Sequence, residues 1–405
     1  MLAVMLKTTP PSPEAAARLA AEVLAPRAAI WDRERRYCHE IIPELLSAGL
    51  MGMTIPEAHG GAGASFLDAV RVIEPIAGAC TLTARVVVEA NMGAVSAVMA
   101  YGTEEQKRLA AGLVLAGDKP AICITEPGAG SAASRMTTTA RRRGGGYVID
   151  GEKHWITGGG VSRLHHVLAR VLDEAGREEA IGGFLVVADP AAGQMPAGFE
   201  VAGHERTMGL CGMPEARLVF RGLEVPEEMA LAPPGGFAKG FGQLMNAYNS
   251  QRVGAGAVAM GVAAGALRRA RDHMLAREQF GRPIAEFQGL QWMLADMDTG
   301  VHASRLLIEE AAASRGPRGS PFPDQAMAAR AKLFASETAI RVVSDALQIF
   351  GARGYGAEEP IERMYRDVRM FTIGGGTAQI LRTQLAGGIL GIPTPQTRAG
   401  QADPG

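Results

Sequence analysis

The chain has 405 residues, 47% of them hydrophobic and 20% charged, an ordinary globular balance with room for about two or three domains at ~150 residues each. With 41 basic against 42 acidic residues the net charge is −1, so no basic excess marks a nucleic-acid binder, and any substrate anion must be held by locally placed cations. The four cysteines, Cys38, Cys80, Cys123 and Cys211, form no Cys-x-x-Cys pair, which argues against a disulfide framework or a zinc site and fits a reducing, cytoplasmic setting.

The opening stretch offers too short an apolar run for a signal peptide and meets Pro10 and Pro11 at once. From about Glu14 to Gly117 the pattern is helical. His39–Gly49 and Ser65–Gly78 space their apolar residues at three and four, and Thr103 with Gln106 reads as a capping box that satisfies free backbone donors. From about Ala121 to Leu231 the texture turns to β. Branched runs such as Tyr147–Asp150, His165–Val171 and Gly183–Asp189 alternate with glycine turns, the punctuation of short antiparallel strands that close into a small barrel or sandwich.

From about Gly236 to Gly391 long amphipathic segments return, one of them read as helical through Phe280, and short connections suggest an antiparallel four-helix bundle. The longest weakly apolar run, Val253–Leu267, is mostly Ala and Gly and reads as a packed bundle helix; a membrane span needs ~20 strongly apolar residues. The expected division is an N-terminal helical domain over 1–119, a middle β-barrel over 120–232, a C-terminal bundle over 233–392 and a flexible tail over 393–405. The fold class is α+β, mainly α. No glycine cluster has the strand–Gly-x-Gly-x-x-Gly–helix placement of a dinucleotide-binding unit, and no metal site is expected.

Four segments carry a family resemblance. Ile124-Thr125-Glu126-Pro127-Gly128-Ala129-Gly130-Ser131 is followed by Gly151-Glu152-Lys153-His154-Trp155-Ile156-Thr157. Then come Arg277-Glu278-Gln279-Phe280-Gly281-Arg282-Pro283-Ile284, leading to Phe287, and Gln348-Ile349-Phe350-Gly351-Ala352-Arg353-Gly354-Tyr355. In order and spacing they resemble the signatures of the acyl-CoA dehydrogenase superfamily across nearly the whole chain.

That resemblance implies FAD as cofactor. Ile122, Ile124, Thr125, Ser131, Trp155 and Thr157 would border the flavin, and Arg277, Gln279, Phe280, Ile284, Phe287, Gln348, Gly351 and Ala352 would reach the FAD of a neighbouring subunit. The implied assembly is a homo-oligomer, a tetramer, acting on a short acyl-CoA, with no nucleic-acid or membrane partner. Residue chemistry agrees: hydroxyls and main-chain donors suit a heterocycle's acceptors, and Arg277 suits a diphosphate. Taken without the resemblance, Trp155 reads as a barrel-core aromatic and Arg277 as a solvated helix-face residue.

The family's α-proton base is missing. Where relatives carry a glutamate in Ile-x-Glu-Gly-Thr, this chain has Ile373-Gly374-Gly375-Gly376-Thr377, so Gly375 stands at the base's position. The alternative position, just before Arg252, holds Gln251, and neither residue removes a proton at neutral pH. Ala132 replaces a usual aspartate, and Glu358 and Glu359 read as solvated loop charges.

A branch with this combination is the 3-sulfinopropanoyl-CoA desulfinases, which lack the glutamate and carry an arginine and a glutamine at the acyl end. Arg85 and Gln251 match those two, as expected catalytic and substrate-binding groups, with Ser131, Asn249 and Arg252 as further substrate contacts. Arg85 precedes three valines, so it is expected in a packed helix pair, where a guanidinium needs an anion. The bland reading is a local pair with Glu89. Other readings are an acyl-CoA dehydrogenase with an unrecognised base that passes electrons to an electron-transferring flavoprotein, an oxygen-using flavin monooxygenase, and a non-catalytic acyl-CoA-binding flavoprotein.

Overall fold

The computed structural model describes residues 10–316, 320–392 and Thr394, without the Lys239 side chain; nearly all of the expected tail lies outside the described residues. The N-terminal layer contains α1 (Pro13–Leu19), α2 (Ala25–Glu34), α3 (Ile42–Ser47), α4 (Phe66–Ala79), α5 (Thr81–Glu89), α6 (Ala94–Tyr101) and α7 (Glu104–Leu115). Thr103 and Gln106 form the expected capping box of α7, and Ser65 with Asp68 forms another on α4. Residues Thr81–Tyr101 are the one helical stretch apolar and long enough to cross a membrane among the described residues, and 94% of its most apolar 18 residues is buried inside the fold. It is a core element, interrupted at Ala90–Gly93.

The middle layer is a single eight-stranded sheet of β1 (Ala121–Cys123), β2 (Thr139–Arg143), β3 (Gly146–Thr157), β4 (Leu164–Leu172), β5 (Glu178–Val187), β6 (Phe199–His204), β7 (Glu215–Pro226) and β8 (Ala230–Leu231). Its hydrogen-bonded order is β6-β7-β3-β2-β4-β5-β8, with β1 against β4. The strands are not all antiparallel as expected: β1 and β2 both run parallel to β4. Bulges in β3 at Ile149/Gly151 and Lys153/Ile156 bend the sheet around Tyr147, Phe184, Phe199 and Phe220.

The C-terminal layer is built on α8 (Gly240–Ala276), followed by a hairpin of β9 (Glu278–Gln279) and β10 (Arg282–Pro283), then α9 (Gln288–Ala313), α10 (Gln325–Phe350), α11 (Ala352–Tyr355), α12 (Pro360–Val368) and α13 (Ala378–Leu390). The chain is therefore an α+β protein, mainly α. Helix α8 is central and buried on every side from Asn249 to Ala263, touching α4, α5, α9 and α10. Its small residues permit that contact: a Cβ at Gly261 would lie 2.5 Å from the Glu74 carbonyl oxygen of α4. The helix expected through Phe280 stops at Ala276. Phe280 and Gly281, both at positive φ, turn the chain into the hairpin instead.

Candidate active site

The glutamate of the first signature shapes the loop that follows β1. Glu126 is buried, pairs with the Lys153 ammonium at 2.7 Å and accepts from the backbone N–H groups of Thr137 and Thr138 at 2.5 and 3.0 Å. Despite its burial, those partners hold its carboxyl down at about 2. Lys153 also donates to the Ile124 carbonyl, and the His154 N–H to that of Thr125, so β3 is clamped against the end of β1.

On that clamped surface Trp155 takes φ 58 and is 51% exposed. The barrel-core reading of Trp155 therefore fails; its indole lies flat against His154, with ring centroids 5.2 Å apart, and presents a free face. Beside it are partly exposed Ile122, Ile124, Thr125 and Thr157, and among the described residues β1 has one strand neighbour. An uncovered indole, a hydroxyl and a strand end beside one another fit a planar, hydrogen-bonding heterocycle. Ser131 is exposed in the loop beyond.

Behind this surface lies a buried polar cluster. Arg85 on α5 is 7% exposed. The local pair with Glu89 is formed, and Lys119 joins the same carboxylate from the other side. Yet Arg85 Nε has no hydrogen-bond partner, and neither do Gln251 Oε1 and Arg252 Nε, all buried. Leaving a buried polar atom unpaired costs about 1–3 kcal/mol, more beside a charge. All three lie on residues singled out from the sequence, and a polar ligand could supply the partners that they lack.

Helix periodicity sets the rest of the cluster. Asn249 accepts from Arg252 at 2.7 Å, Arg252 lies over the Tyr248 ring at 5.9 Å, and the Gln251 amide approaches Gly93 and Ile122. The guanidinium of Arg85 acts electrostatically on Tyr248, Glu215 and Lys332.

Gly375, where the family resemblance leads one to expect a glutamate, has φ +72 and faces open space, the nearest atom to an added Cβ being Lys332 Cε at 3.9 Å. Lys332 donates to the Gly376 carbonyl at 2.6 Å, and burial together with Arg252 and Arg85 pushes its ammonium down to about 7. Glu358 is exposed and Glu359 pairs with Arg353, in keeping with solvated loop charges.

The sequence reading passed over Glu215. It opens β7 opposite Thr157, whose hydroxyl lies 3.0 Å from each carboxylate oxygen. Burial pushes its carboxyl up to about 7, against the opposing pull of Arg85 and the Thr157 hydroxyl. A glutamate after Met213-Pro214 looks like an ordinary polar strand start, and no local pattern distinguishes it.

The remaining expected cofactor contacts lie elsewhere. Arg277, Gln279 and Phe280 follow the C-terminal end of α8, and Gln348, Gly351 and Ala352 sit at the end of α10; all are exposed, Phe280 at 93%. His273 stacked on Phe350 at 4.2 Å puts the two helix ends together. Ile284 is buried and Phe287 partly so, with Arg282 over its ring at 4.4 Å. From Gln251 to the end of α8 is roughly 37 Å at ~1.5 Å per residue. The two sets of expected contacts are therefore not brought together within one chain.

Comparison with known proteins agrees with this architecture. Family models for the acyl-CoA dehydrogenase N-terminal, middle and C-terminal domains match residues 13–118, 121–223 and 238–390. The chain is 55% identical over 387 residues to a 3-sulfinopropanoyl-CoA desulfinase of Variovorax paradoxus, covering 96% of this chain and 95% of that one. It is 56% identical to another of the same name from Cupriavidus necator, covering 94% and 95%. Among solved structures, the butyryl-CoA dehydrogenase of Megasphaera elsdenii superposes with a TM-score of 0.85 at 31% identity, covering 96% of this chain and 99% of that one.

Proposed function

This chain belongs to the acyl-CoA dehydrogenase family and is an enzyme of it, and we propose that it is a desulfinase that converts 3-sulfinopropanoyl-CoA and water to propanoyl-CoA and sulfite. The observation that carries this reading is the polar acyl end: the Arg85 Nε and Gln251 Oε1 atoms are buried without partners, and no carboxylate stands at Gly375 or Gln251. A sulfinate presents two oxygens to the guanidinium donors that Glu89 does not use, whereas a hydrocarbon chain would leave Arg85 Nε without a partner. The desulfinase name of relatives above half identity supports the same substrate.

In this reading Arg85 holds and polarises the sulfinate through its oxygens while Gln251 orients the sulfinate or a water. Asn249, Arg252 and Ser131 hold the pantetheine side. FAD is the cofactor, with Ile122, Ile124, Thr125, Trp155 and Thr157 receiving its ring; bound there, it supplies a polarisable wall on the acyl chain, because the overall reaction transfers no electrons out. Arg277, Gln279, Phe280, Ile284, Phe287, Gln348, Gly351 and Ala352 belong to the FAD of another subunit, which the roughly 37 Å length of α8 between the two sets favours. In this reading the enzyme is an obligate oligomer, a tetramer, that works in the cytoplasm.

The alternative is a dehydrogenase working through another base. The raised carboxyl of Glu215 favours keeping it in view, as does the similarity to butyryl-CoA dehydrogenase. The test is chemical. Purified FAD-loaded protein given 3-sulfinopropanoyl-CoA releases sulfite and propanoyl-CoA in equal amounts, and the reading falls if that thioester is returned intact.

A further inference from the structure

In this cluster Glu89 has two ion pairs, whereas among the described residues the Glu215 carboxyl has none. Its backbone is fixed: Thr157 pairs opposite it across β3 and β7, Gly158 N–H donates to the Pro214 carbonyl at 2.7 Å, and Glu205 N–H donates to its own at 2.8 Å. The groups that act on its side chain come from four elements: Arg85 and Glu89 on α5, Lys119 before β1, Thr157 on β3 and Tyr248 on α8. Glu89 is committed to Arg85 and Lys119, whereas the Glu215 carboxyl has one hydrogen-bond partner among the described residues, the Thr157 hydroxyl, and the residue is partly exposed. A carboxyl that is neither paired nor fully solvated is free to gain and lose a proton.

Glu215 is hydrogen-bonded to Thr157 of the candidate cofactor face and lies within electrostatic reach of Arg85, so a sulfinate held by Arg85 would bring the carbon that sulfur leaves toward this carboxyl. Resting on the desulfinase reading above, we infer that Glu215 is the proton-transfer residue of C–S cleavage: its acid form protonates the carbon released from sulfur, and its carboxylate then takes a proton from the water that adds to sulfur.

The step balances. The C–S electron pair leaves with carbon, which takes the Glu215 proton and becomes the methyl group of propanoyl-CoA. Sulfur departs at the oxidation level of sulfur dioxide, takes hydroxide from one water to give hydrogensulfite, and the second proton restores Glu215. Carbon is reduced by the pair that sulfur loses, so no external oxidant or reductant enters. A carboxyl poised near about 7 holds both forms at neutral pH, as an acid that must be regenerated each turnover requires.

The experiment compares wild type, Glu215→Gln and Glu215→Asp as FAD-loaded enzymes. Glutamine keeps the size and an acceptor for Thr157 but cannot carry the proton. Its kcat for sulfite release is expected to fall ~10²–10⁴-fold with KM within a few-fold and flavin content unchanged, the range for loss of a positioned acid–base group. Aspartate restores part of the rate. Because the acid form starts the cycle, wild-type kcat/KM falls as pH rises through about 7, and that limb vanishes in Glu215→Gln.

Glu215→Gln working at half the wild-type rate or better overturns the inference. So does a limb that survives in Glu215→Gln, which would assign it to Lys332. Should Glu215→Gln fail to hold flavin, a wild-type profile flat between pH 6 and 8 overturns the inference by itself. If wild type releases no sulfite at all, the desulfinase reading fails, and this inference with it.

Discussion

Replacing Arg85 separates its proposed catalytic use from its structural one. The guanidinium has five N–H donors in a fixed fork. One η nitrogen serves Glu89, while Nε is buried without a partner. Two hydrogen bonds to a sulfinate remain available, each worth about 1.5–3 kcal/mol when charge-assisted. At ~1.4 kcal/mol per tenfold, their loss in Arg85→Ala lowers kcat/KM for sulfite release about a hundredfold to ten-thousandfold. Arg85→Lys keeps a charge but not the planar fork, and its loss falls in the lower part of that range.

Folding is spared by the same geometry, because Glu89 retains Lys119 and no buried carboxylate is orphaned. Thermal melting and flavin content should therefore stay close to wild type. The Arg85 charge also lowers the Glu215 pKa, so any residual activity of Arg85→Ala has its alkaline limb shifted upward. Retention of a third or more of the wild-type kcat/KM by Arg85→Ala would refute the role assigned to this residue.

Other outcomes follow from single contacts. Gly375→Glu places a carboxyl in open space near Lys332 and is expected to confer slow, acyl-CoA-dependent flavin bleaching on a protein that has little, at a cost of ~1–2 kcal/mol for a side chain at positive φ; no gain in anaerobic bleaching by butanoyl-CoA would contradict the placement of the missing base. Lys153→Met leaves Glu126 buried without its cation and should cost ~3–5 kcal/mol in urea unfolding. Because the Glu126 carboxyl is held at about 2, below its usual 4.5, its contribution to stability is present above about pH 4.5 and is lost as pH falls toward 2; Glu126→Gln should flatten acid unfolding in that window. Phe280→Ser at the hairpin tip should lower flavin occupancy by sedimentation and absorbance without altering far-ultraviolet dichroism, and unchanged occupancy would count against contacts from a second subunit.

Much of this was legible because it is local. The capping box at Thr103 and the spacing of the long helices need only neighbours in sequence, and the order of the four signatures carries the family. Arg85 was legible as buried because three valines follow it. The hairpin at Glu278–Pro283 was not, since the helical apolar pattern runs on to Phe280 and the turn depends on Phe280 and Gly281 at positive φ. The parallel pairing of β1 with β4 joins segments some forty residues apart, beyond the reach of any period. Glu215 and Lys332 acquire their chemistry from tertiary burial alone: one is enclosed by α5, β3 and α8, the other by Arg252 and the Gly376 carbonyl. Trp155 shows the converse, an aromatic in a strand whose bland core reading is undone by a single backbone angle that turns it outward.

If the acyl end holds a sulfinate as proposed, turnover needs no electron acceptor. The decisive measurement follows flavin absorbance and free sulfite together, anaerobically and with 3-sulfinopropanoyl-CoA in large excess. Many equivalents of sulfite per flavin, with the oxidised flavin spectrum unchanged, is the predicted result. Bleaching by one equivalent of thioester, with turnover halted until an acceptor is added, would contradict it.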